Sequence, residues 1–274
     1  ASELTLSGNI TAGNYLYIGD NNTGTRLWDG KIDDVRIYNY ALSAEEVSNL
    51  YNSAKTKYTA SAPLLGLVGY WNMDTADVSA TKVYDKSGFG NHGTPTGFYT
   101  GLAPTSTPGK INQAIDFDGM NGAVNADVVA NDMSPLSGTI VLWAKAEANV
   151  TSFIIGGNTN SRTYLSRHSS GFFRVTKGNP ATDMNFTATA LNTWHQLVLT
   201  WDNGSMSGYQ DGVLINTLAF TDTTTAGTAL KISSFNTGGF NFDGAIDDVR
   251  IYNRALSADE VSALYKSSAR KYVR

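Results

Sequence analysis

Apolar and polar residues alternate in short segments along most of the chain, and turn-forming residues separate these segments. Within residues 245–253, for example, Val249 and Ile251 alternate with Arg250 and Tyr252, which is the period of a half-buried strand. Segments of this kind predict strands over residues 112–118, 123–128, 137–147, 152–157, 162–166, 171–176, 194–201, 207–215, 228–233 and 245–253. So many short strands with so little helix predict an antiparallel sandwich of two sheets.

One strand-helix pattern occurs twice, at residues 30–51 and 244–265, and only four of its 22 positions differ. The two copies lie 214 positions apart. In the second copy Ser257 precedes Glu260 by three residues, which is the spacing of a helix capping box. Each copy therefore predicts a strand followed by a short helix, and the repeat decides how the chain divides into structural units.

Motifs upstream of the second copy extend this pattern. They are the first-strand motif Gly66–Asp74, the glycine- and asparagine-rich loop Asp85–Gly93, the strand and turn Ala114–Gly119, and the hairpin motifs Trp194–Thr200 and Tyr209–Gly212. Together with the strand-helix pattern, these motifs resemble the LamG-like jelly-roll domains of bacterial secreted and cell-surface proteins, in the concanavalin A-like lectin/glucanase superfamily. The resemblance covers residues 64–266 in full and residues 1–54 as a C-terminal part only.

The resemblance implies an all-β fold, an antiparallel two-sheet jelly-roll sandwich with a short C-terminal helix. It divides the chain into a partial copy at residues 1–54, a linker at 55–63 and a complete LamG-like domain at 64–274. The partial copy holds only the terminal strands and helix of the same fold. Because one fold hosts many functions, this resemblance predicts the architecture better than it predicts a ligand.

Composition narrows the functional classes. The formal net charge is −4 and charged residues make up 16% of the chain, so no basic face for nucleic acid is expected. There is no cysteine, which excludes disulfides and thiol chemistry. The longest apolar run, residues 64–71, is too short to cross a bilayer, so no membrane insertion is expected. The chain begins without the basic and apolar parts of a signal peptide, and with the resemblance this predicts an extracellular or cell-surface protein whose signal peptide is already absent.

Catalytic carboxylates are not evident. Glycoside hydrolysis normally requires two carboxyl groups across the scissile bond, and the superfamily's glucanases carry theirs in a Glu-x-Asp-x-x-Glu or Glu-x-Asp-x-Glu strand motif. Between residues 64 and 243 the only glutamate is Glu147, which lies in neither motif. No Gly-x-Ser-x-Gly motif of serine hydrolases occurs. We therefore predict that the chain is not an enzyme.

Asp247 is the main candidate metal ligand. Strict alternation places its carboxylate on the inward face of Val249 and Ile251, where a charge is costly unless a cation or an arginine compensates it. The resemblance places Asp247 at the superfamily's structural calcium position. The other ligands that it implies are Asp74, Asp85 and Asn91, with Asp248 as a further candidate. Carboxylate and carbonyl oxygens are the ligands that Ca2+ prefers.

Three other interpretations of Asp247 remain open at this stage. They are a hydrogen-bonded carboxylate cluster, an ion pair with Arg250, and a cap of a turn at the edge of the strand. Zinc is not expected, because the chain has no cysteine and its three histidines, His92, His168 and His195, are far apart.

Carbohydrate binding is the main alternative to a structural role. Sugars are held by exposed aromatic rings and by polar side chains, and the segment 162–176 supplies both. The candidates are Tyr164, Arg167, His168, Phe172 and Arg174. Phe172 and Phe173 are consecutive, so only one of these rings can face outward. Four tryptophans in strand patterns are more typical of a core: Trp71, Trp143, Trp194 and Trp201.

The partial copy at residues 1–54 predicts apolar faces that it cannot bury alone. The strand face holds Ile32, Val35 and Ile37, and the helix face holds Val47, Leu50 and Tyr51. One expectation is assembly in trans, by strand addition to a neighbouring subunit or LamG-like module, which propagates head-to-tail into a filament. The alternative is packing against the chain's own complete domain.

These observations predict a non-catalytic extracellular module for adhesion or structural assembly on the bacterial surface. The partners expected are further copies of the chain, neighbouring LamG-like modules, or glycans. The alternative is a carbohydrate-binding module of a larger polysaccharide-degrading enzyme.

Overall fold

The computed structural model describes residues 18–19, 28–30, 32, 35, 65–98, 103–130, 136–157, 162–221, 229–235 and 240–269. The chain separates into two compact units, residues 1–53 and residues 54–274. The division into a partial copy, a linker and a complete domain stays a prediction. The rest of this subsection concerns the second unit.

The described residues of the second unit form strands and two short helices. In chain order, the described elements are β1 (Leu67–Trp71), a 3-10 turn (Thr75–Asp77), β2 (Thr94–Thr96), β3 (Ser106–Pro108), β4 (Gln113–Asp118), β5 (Ala123–Asn125), α1 (Asp127–Ala130), β6 (Ser137–Ala146), β7 (Ser152–Gly157), β8 (Arg162–Arg167), β9 (Phe172–Gly178), β10 (Thr182–Ala188), β11 (Trp194–Asp202), β12 (Ser205–Gln210), β13 (Val213–Ala219), β14 (Leu230–Ile232), β15 (Asp243–Tyr252) and α2 (Ala258–Ala269).

The strands form two antiparallel sheets. The first sheet has the order β13-β12-β11-β6-β15-β4-β3, and β1 pairs with β15 beside this path. The second sheet has the order β10-β9-β8-β7-β14-β5-β2. Alternate side chains of both sheets meet in one apolar core, for example Leu142 of β6 and Val175 of β9. The predicted all-β jelly-roll sandwich is thereby confirmed.

Helix α2 covers part of the outer face of the first sheet. Its capping box forms as predicted, because the Glu260 amide donates to Ser257 Oγ and the Ser257 amide donates to Glu260 Oε2. Leu256 before the cap and Val261 inside the helix are both buried in a second apolar cluster. The cluster also contains Val141, Val198, Tyr209, Tyr252 and Leu264.

Two strand predictions are wrong. Residues 207–215 form parts of two strands, because Asp211 and Gly212 adopt φ angles of 53° and 75° and make the tight hairpin turn between β12 and β13. The predicted strand 123–128 ends at Asn125 and passes into α1. Strand β10 was not predicted, although Met184 and Phe186 alternate toward the core.

Candidate functional site

Two neighbouring strands of the second sheet present polar and aromatic side chains away from the core. Leu165 of β8 and Val175 of β9 lie opposite each other in register, and both belong to the core. Because successive strand residues face opposite sides, Tyr164 and Arg174 lie on the outer face. Phe172 of β9, two residues before Arg174, lies on the same outer face. The outer face of the second sheet therefore gathers three of the predicted sugar-binding residues.

A three-membered stack lies at one side of this face. The His168 and Phe172 rings are nearly parallel, with centroids 4.5 Å apart and an interplanar angle of 6°. The Arg174 guanidinium lies 5.6 Å from the centroid of the Phe172 ring. Arg174 also donates to Asn185 Oδ1 at 2.8 Å and pairs with Asp183 at 3.2 Å, both on β10. Side chains of β10 thus hold the Arg174 guanidinium in place beside the Phe172 ring.

Aromatic rings from three parts of the chain meet further along the same face. Phe153 of β7 stacks on Phe235 at 4.8 Å and contacts Tyr164 edge-on at 5.0 Å. Phe240 contacts Phe153 edge-on at 6.2 Å. A Cβ built on Gly156 would lie 3.0 Å from Phe235, so the glycine clears room for that ring. We call Phe153, Tyr164, Phe235 and Phe240 the aromatic cluster.

Phe240 is the most solvent-accessible ring of the aromatic cluster, with 69% of its surface exposed. Its backbone adopts φ +54°, a left-handed conformation that a bulky residue rarely takes and that costs about 1–3 kcal/mol. A backbone hydrogen bond from the Phe153 amide to the Phe240 carbonyl, 2.7 Å long, holds this conformation. Strained backbone conformations cluster at ligand-binding sites, so the exposed Phe240 ring is a candidate ligand contact.

Arg167 does not share the outer face. Its guanidinium is fully buried and donates to Asn149 Oδ1 at 2.6 Å and to the Thr189 carbonyl at 3.1 Å. It also lies 4.7 Å from the centroid of the Phe173 ring, which is buried in the core. Burial lowers the pKa of Arg167. Phe172 faces outward and Phe173 faces inward, as the sequence pattern predicts. The hydrogen bonds of Arg167 link β8 to the loops that contain Asn149 and Thr189.

A bulge in β15 determines where Asp247 points. Strand β15 pairs with β4 up to Ile246 and with β1 from Val249, and its register with β6 shifts between Asp247 and Arg250. Ile246 and Val249 are both in the core. Asp247 lies opposite Trp143, whose ring stacks on Tyr265 of α2 on the outer face. Asp247 therefore does not share the face of Val249, because the bulge shifts the alternation that the sequence suggested.

The Asp247 carboxyl is fully buried and only partly hydrogen-bonded. Oδ2 accepts a hydrogen bond from the Ile111 amide at 2.7 Å, and Oδ1 has no hydrogen-bond partner. Burial raises the pKa of Asp247 to about 8, and the negative charges of Asp248 and, more weakly, of Asp74 act in the same direction. Asp74 itself accepts a hydrogen bond from the Gln113 amide at 2.9 Å. A fully buried carboxylate oxygen without a hydrogen-bond partner suits an oxygen-liganded cation.

The other predicted calcium ligands have different partners. Burial opposes ionisation of Asp85, but hydrogen bonds from Ser87, Tyr70 and Asn91 outweigh it and hold the pKa of Asp85 below its usual value. Asp248 pairs with Arg250 at 3.0 Å. In the part of the chain that the structure describes, no three Asp, Glu or His side chains are grouped as a metal centre requires. A cation at Asp247 would thus need carbonyl oxygens as further ligands.

Fold and site together define a jelly-roll sandwich with an aromatic outer face on its second sheet. The chain belongs to the Laminin_G_3 family of the concanavalin A-like lectin/glucanases superfamily, whose sequence profile matches residues 1–48 and 118–262. A comparison with curated protein sequences found no significant match. Across the helices that the structure describes, none has the length and apolar character needed to cross a membrane.

Three solved structures illustrate the similarity. One is domain 4 of AbnA, a GH43 extracellular arabinanase from Geobacillus stearothermophilus, which was solved with arabinotriose. It is 25% identical to this chain with a TM-score of 0.57, and the match covers 73% of this chain and 98% of that one. The binding domain of Paraclostridial Mosquitocidal Protein 1 is 17% identical with a TM-score of 0.56, over 75% of this chain and 53% of that one. Trypanosoma rangeli sialidase with the inhibitor DANA is 16% identical with a TM-score of 0.57, over 81% and 39%. This chain thus spans about half of the second protein's binding domain and a smaller part of the sialidase. At these levels of identity, the two comparisons show a common fold and nothing about function.

Proposed function

We propose that the second unit is a non-catalytic extracellular module that binds a glycan on the outer face of its second sheet. The observation that carries this proposal is the strained, exposed ring of Phe240 beside Phe153, Tyr164 and Phe235. Domain 4 of the Geobacillus arabinanase supports the choice of ligand class, since it is 25% identical and was solved with arabinotriose.

The two parts of the face supply the two kinds of contact that a sugar requires. The aromatic cluster offers apolar ring surface for the C–H face of a sugar. The stack of His168, Phe172 and Arg174 lies on the same outer face, with Asp183 and Asn185 at its side as hydrogen-bonding groups. A few polar groups beside a large apolar area are typical of specific small-molecule sites. Because Arg174 is already paired with Asp183, we expect a neutral glycan rather than an acidic one.

The experiment compares two equally exposed phenylalanines of the second unit. Phe240 is 69% exposed in the aromatic cluster, and Phe89 is 68% exposed in the loop 85–93. Calorimetry with arabinotriose, and affinity gels with arabinan, xylan and laminarin, measure binding. Phe240→Ala should weaken binding at least about tenfold, while Phe89→Ala should leave it unchanged. Absence of binding to every glycan, or equal effects of both substitutions, would overturn the proposal.

The non-catalytic part of the proposal rests on the carboxylates. Glu147 pairs with Lys145 at 3.0 Å. Burial, and after it the negative charge of Glu147, raise the pKa of Asp116 and of Asp243. Glu147 lies outside the sequence motifs of the superfamily's glucanases. A screen on arabinan, xylan, laminarin and agar should therefore show no hydrolysis. Turnover that disappears in Glu147→Gln or Asp116→Asn would contradict this prediction.

We also propose Asp247 as a structural calcium ligand, with Asp74 and backbone carbonyl oxygens. A bound Ca2+ would supply the positive charge that the buried carboxylate lacks and would favour its ionised form. Removal of calcium by a chelator should lower the melting temperature of metal-loaded protein, and Asp247→Asn should abolish that response. An unchanged melting temperature, in protein shown by elemental analysis to be metal-loaded, would refute the proposal. Asp85 accepts hydrogen bonds from the Ser87 and Asn91 amides, and the Asn91 side chain donates to the Val68 carbonyl, so both side chains are less suited to this role.

Adhesion or filament assembly through the first unit is a second candidate function. The observation that favours it is the exposure of Ile32 and Val35, which are 47% and 51% exposed. The other predicted assembly residues, Ile37, Val47, Leu50 and Tyr51, lie outside the described residues. Self-association measured by light scattering over a range of concentrations should depend on Ile32 and Val35.

A further inference from the structure

Strand register places polar side chains in line with the aromatic cluster on the outer face of the second sheet. Phe153 of β7 lies opposite Ser166 of β8, and Ser166 lies opposite Arg174 of β9. Arg174 in turn lies opposite Asn185 of β10. One row of side chains therefore crosses four neighbouring strands, from an aromatic ring at one end to an amide at the other.

A second row runs beside the first. Gly156 of β7 lies opposite Tyr164 of β8, and Tyr164 lies opposite Thr176 of β9. Thr176 lies opposite Asp183 of β10, and its hydroxyl donates to Asp183 Oδ1 at 2.6 Å. Asp183 also pairs with Arg174 of the first row at 3.2 Å. The two rows are thus joined at the β10 end.

The two ends of these rows differ in chemistry. The end at β7 and β8 carries the aromatic cluster. At the other end, Asp183 and Asn185 flank the core residue Met184, so both face outward, and both are exposed. Ser166, which is 6% exposed, lies in the floor between Phe153 and Arg174. An apolar platform and a polar end are therefore separated by a small side chain.

The separation of the two ends exceeds the size of one sugar ring. Neighbouring strands lie about 4.8 Å apart, so β7 and β10 are about 14 Å apart. One unit of a linear glycan advances by about one strand spacing. A single ring on the aromatic cluster therefore does not also reach Asp183 and Asn185, whereas a chain of three units does.

The other side of the aromatic cluster is covered by the chain itself. Lys231 of β14 lies opposite Gly156, on the side away from β8. A Cβ built on Gly156 would lie 3.2 Å from the Ser234 carbonyl oxygen and 3.0 Å from the Phe235 ring. Residues 234 and 235 therefore pass over the face between Lys231 and Tyr164. A glycan on the aromatic cluster is thereby directed toward β9 and β10.

We propose that the site takes a linear glycan of at least three units, laid across the strands from β7 to β10. One unit lies on the aromatic cluster, and the third exchanges hydrogen bonds with Arg174, Asp183 and Asn185. Because Arg174 and Asp183 neutralise each other, this end suits hydroxyl groups rather than a charged group. The inference rests on the proposed glycan binding and adds the length and direction of the ligand.

Calorimetry with disaccharides and trisaccharides of arabinan, xylan and laminarin tests the length. In a series that binds, the trisaccharide should bind at least about tenfold more tightly than the disaccharide, because only the trisaccharide reaches the polar end. Phe240→Ala should weaken the binding of both, since both contact the aromatic cluster.

A matched pair of substitutions tests the direction. Lys231 lies between the core residues Leu230 and Ile232, so it shares the outer face with Arg174. Arg174→Met and Lys231→Met thus each remove one cation, on opposite sides of the aromatic cluster. Arg174→Met should reduce the ratio of trisaccharide to disaccharide affinity to about twofold or less, and Lys231→Met should leave this ratio unchanged.

Asn185→Ala provides a second test of the polar end, because it removes an exposed amide and should also reduce the ratio. Equal affinities for the disaccharide and the trisaccharide would overturn the inference while leaving glycan binding in place. Loss of the ratio in Lys231→Met but not in Arg174→Met would overturn it as well, because the glycan would then extend toward β14. Absence of binding to every oligosaccharide would contradict the proposed function itself, and the inference with it.

Discussion

Residues 30–51 and 244–265 have nearly the same sequence, yet the described apolar side chains of the first copy are exposed and those of the second are buried. Ile32 and Ile246 make the contrast plain, at 47% and 0% exposure. One backbone hydrogen bond is common to both regions, from the Trp28 amide to the Gly19 carbonyl and from the Phe242 amide to the Ser233 carbonyl. In the second copy, pairing of β15 with β1, β4 and β6 accounts for the burial of its apolar side chains.

The contrast also separates the candidate functional site from the repeat. Phe235 and Phe240 belong to the aromatic cluster and lie just before the second copy, and the residues 214 positions earlier, just before the first copy, are Asn21 and Arg26. The sequence of the closing strand and helix is shared, while the aromatic residues at 235 and 240 have no aromatic counterpart 214 positions earlier. Structural requirements of the fold explain the repeat, and the glycan binding that we propose accounts for the difference.

The largest effect on stability is expected when a carboxylate replaces an apolar core residue of the second copy. Ile246→Asp buries a carboxylate among core residues and should cost more than about 5 kcal/mol in the free energy of unfolding, enough to unfold the second unit. Ile32→Asp, at the corresponding position, should change it by less than about 0.5 kcal/mol. Denaturant unfolding of both variants measures the difference. Equal destabilisation would show that Ile32 is also part of a core.

The next largest effect is on the pH dependence of folding stability. Because the pKa of Asp247 is about 8 in the folded protein and 3.8 in its ordinary state, the folded protein holds a proton that the unfolded chain releases. In calcium-free protein this contribution to stability is complete below pH about 4 and is lost as the pH rises to about 8, at about 1.4 kcal/mol per unit. Asp247→Asn should remove this dependence, and Asp33→Asn in the first copy should not. Melting curves over this range that are the same for Asp247→Asn and the unmodified protein would contradict the assignment.

A smaller effect is expected from the capping boxes. Ser257 accepts a hydrogen bond from the Glu260 amide, so Ser257→Ala should lower the free energy of unfolding of the second unit by about 1 kcal/mol. Ser43→Ala makes the same change in the first copy and should leave this transition unchanged. The midpoints of urea unfolding measure both. Equal shifts would mean that the two copies unfold as one cooperative unit.

Much of the fold could be predicted from the sequence, because strand periodicity and capping are local. The capping box of Ser257 and Glu260 formed as predicted, and so did the outward and inward alternation of Phe172 and Phe173. The bulge at Asp247 could not be predicted, because it arises where β15 changes its partner from β4 to β1.

The candidate site was predictable only in part. Tyr164, Phe172 and Arg174 lie within eleven residues of one another, so strand alternation was enough to group them. Phe153, Phe235 and Phe240 come from a different strand and from distant segments, and the order of strands in the second sheet brings them together. The left-handed backbone of Phe240 leaves no signal in the sequence beyond the two glycines before it.

The central claim is that the aromatic cluster binds a glycan, and exchanging residues between the copies tests it most directly. The double variant Phe235→Asn and Phe240→Arg introduces the residues found 214 positions earlier, Asn21 and Arg26. Calorimetry with the glycan that the unmodified protein binds should show loss of affinity by more than about tenfold, with an unchanged melting temperature. Binding that persists at full strength in this folded variant would contradict the account.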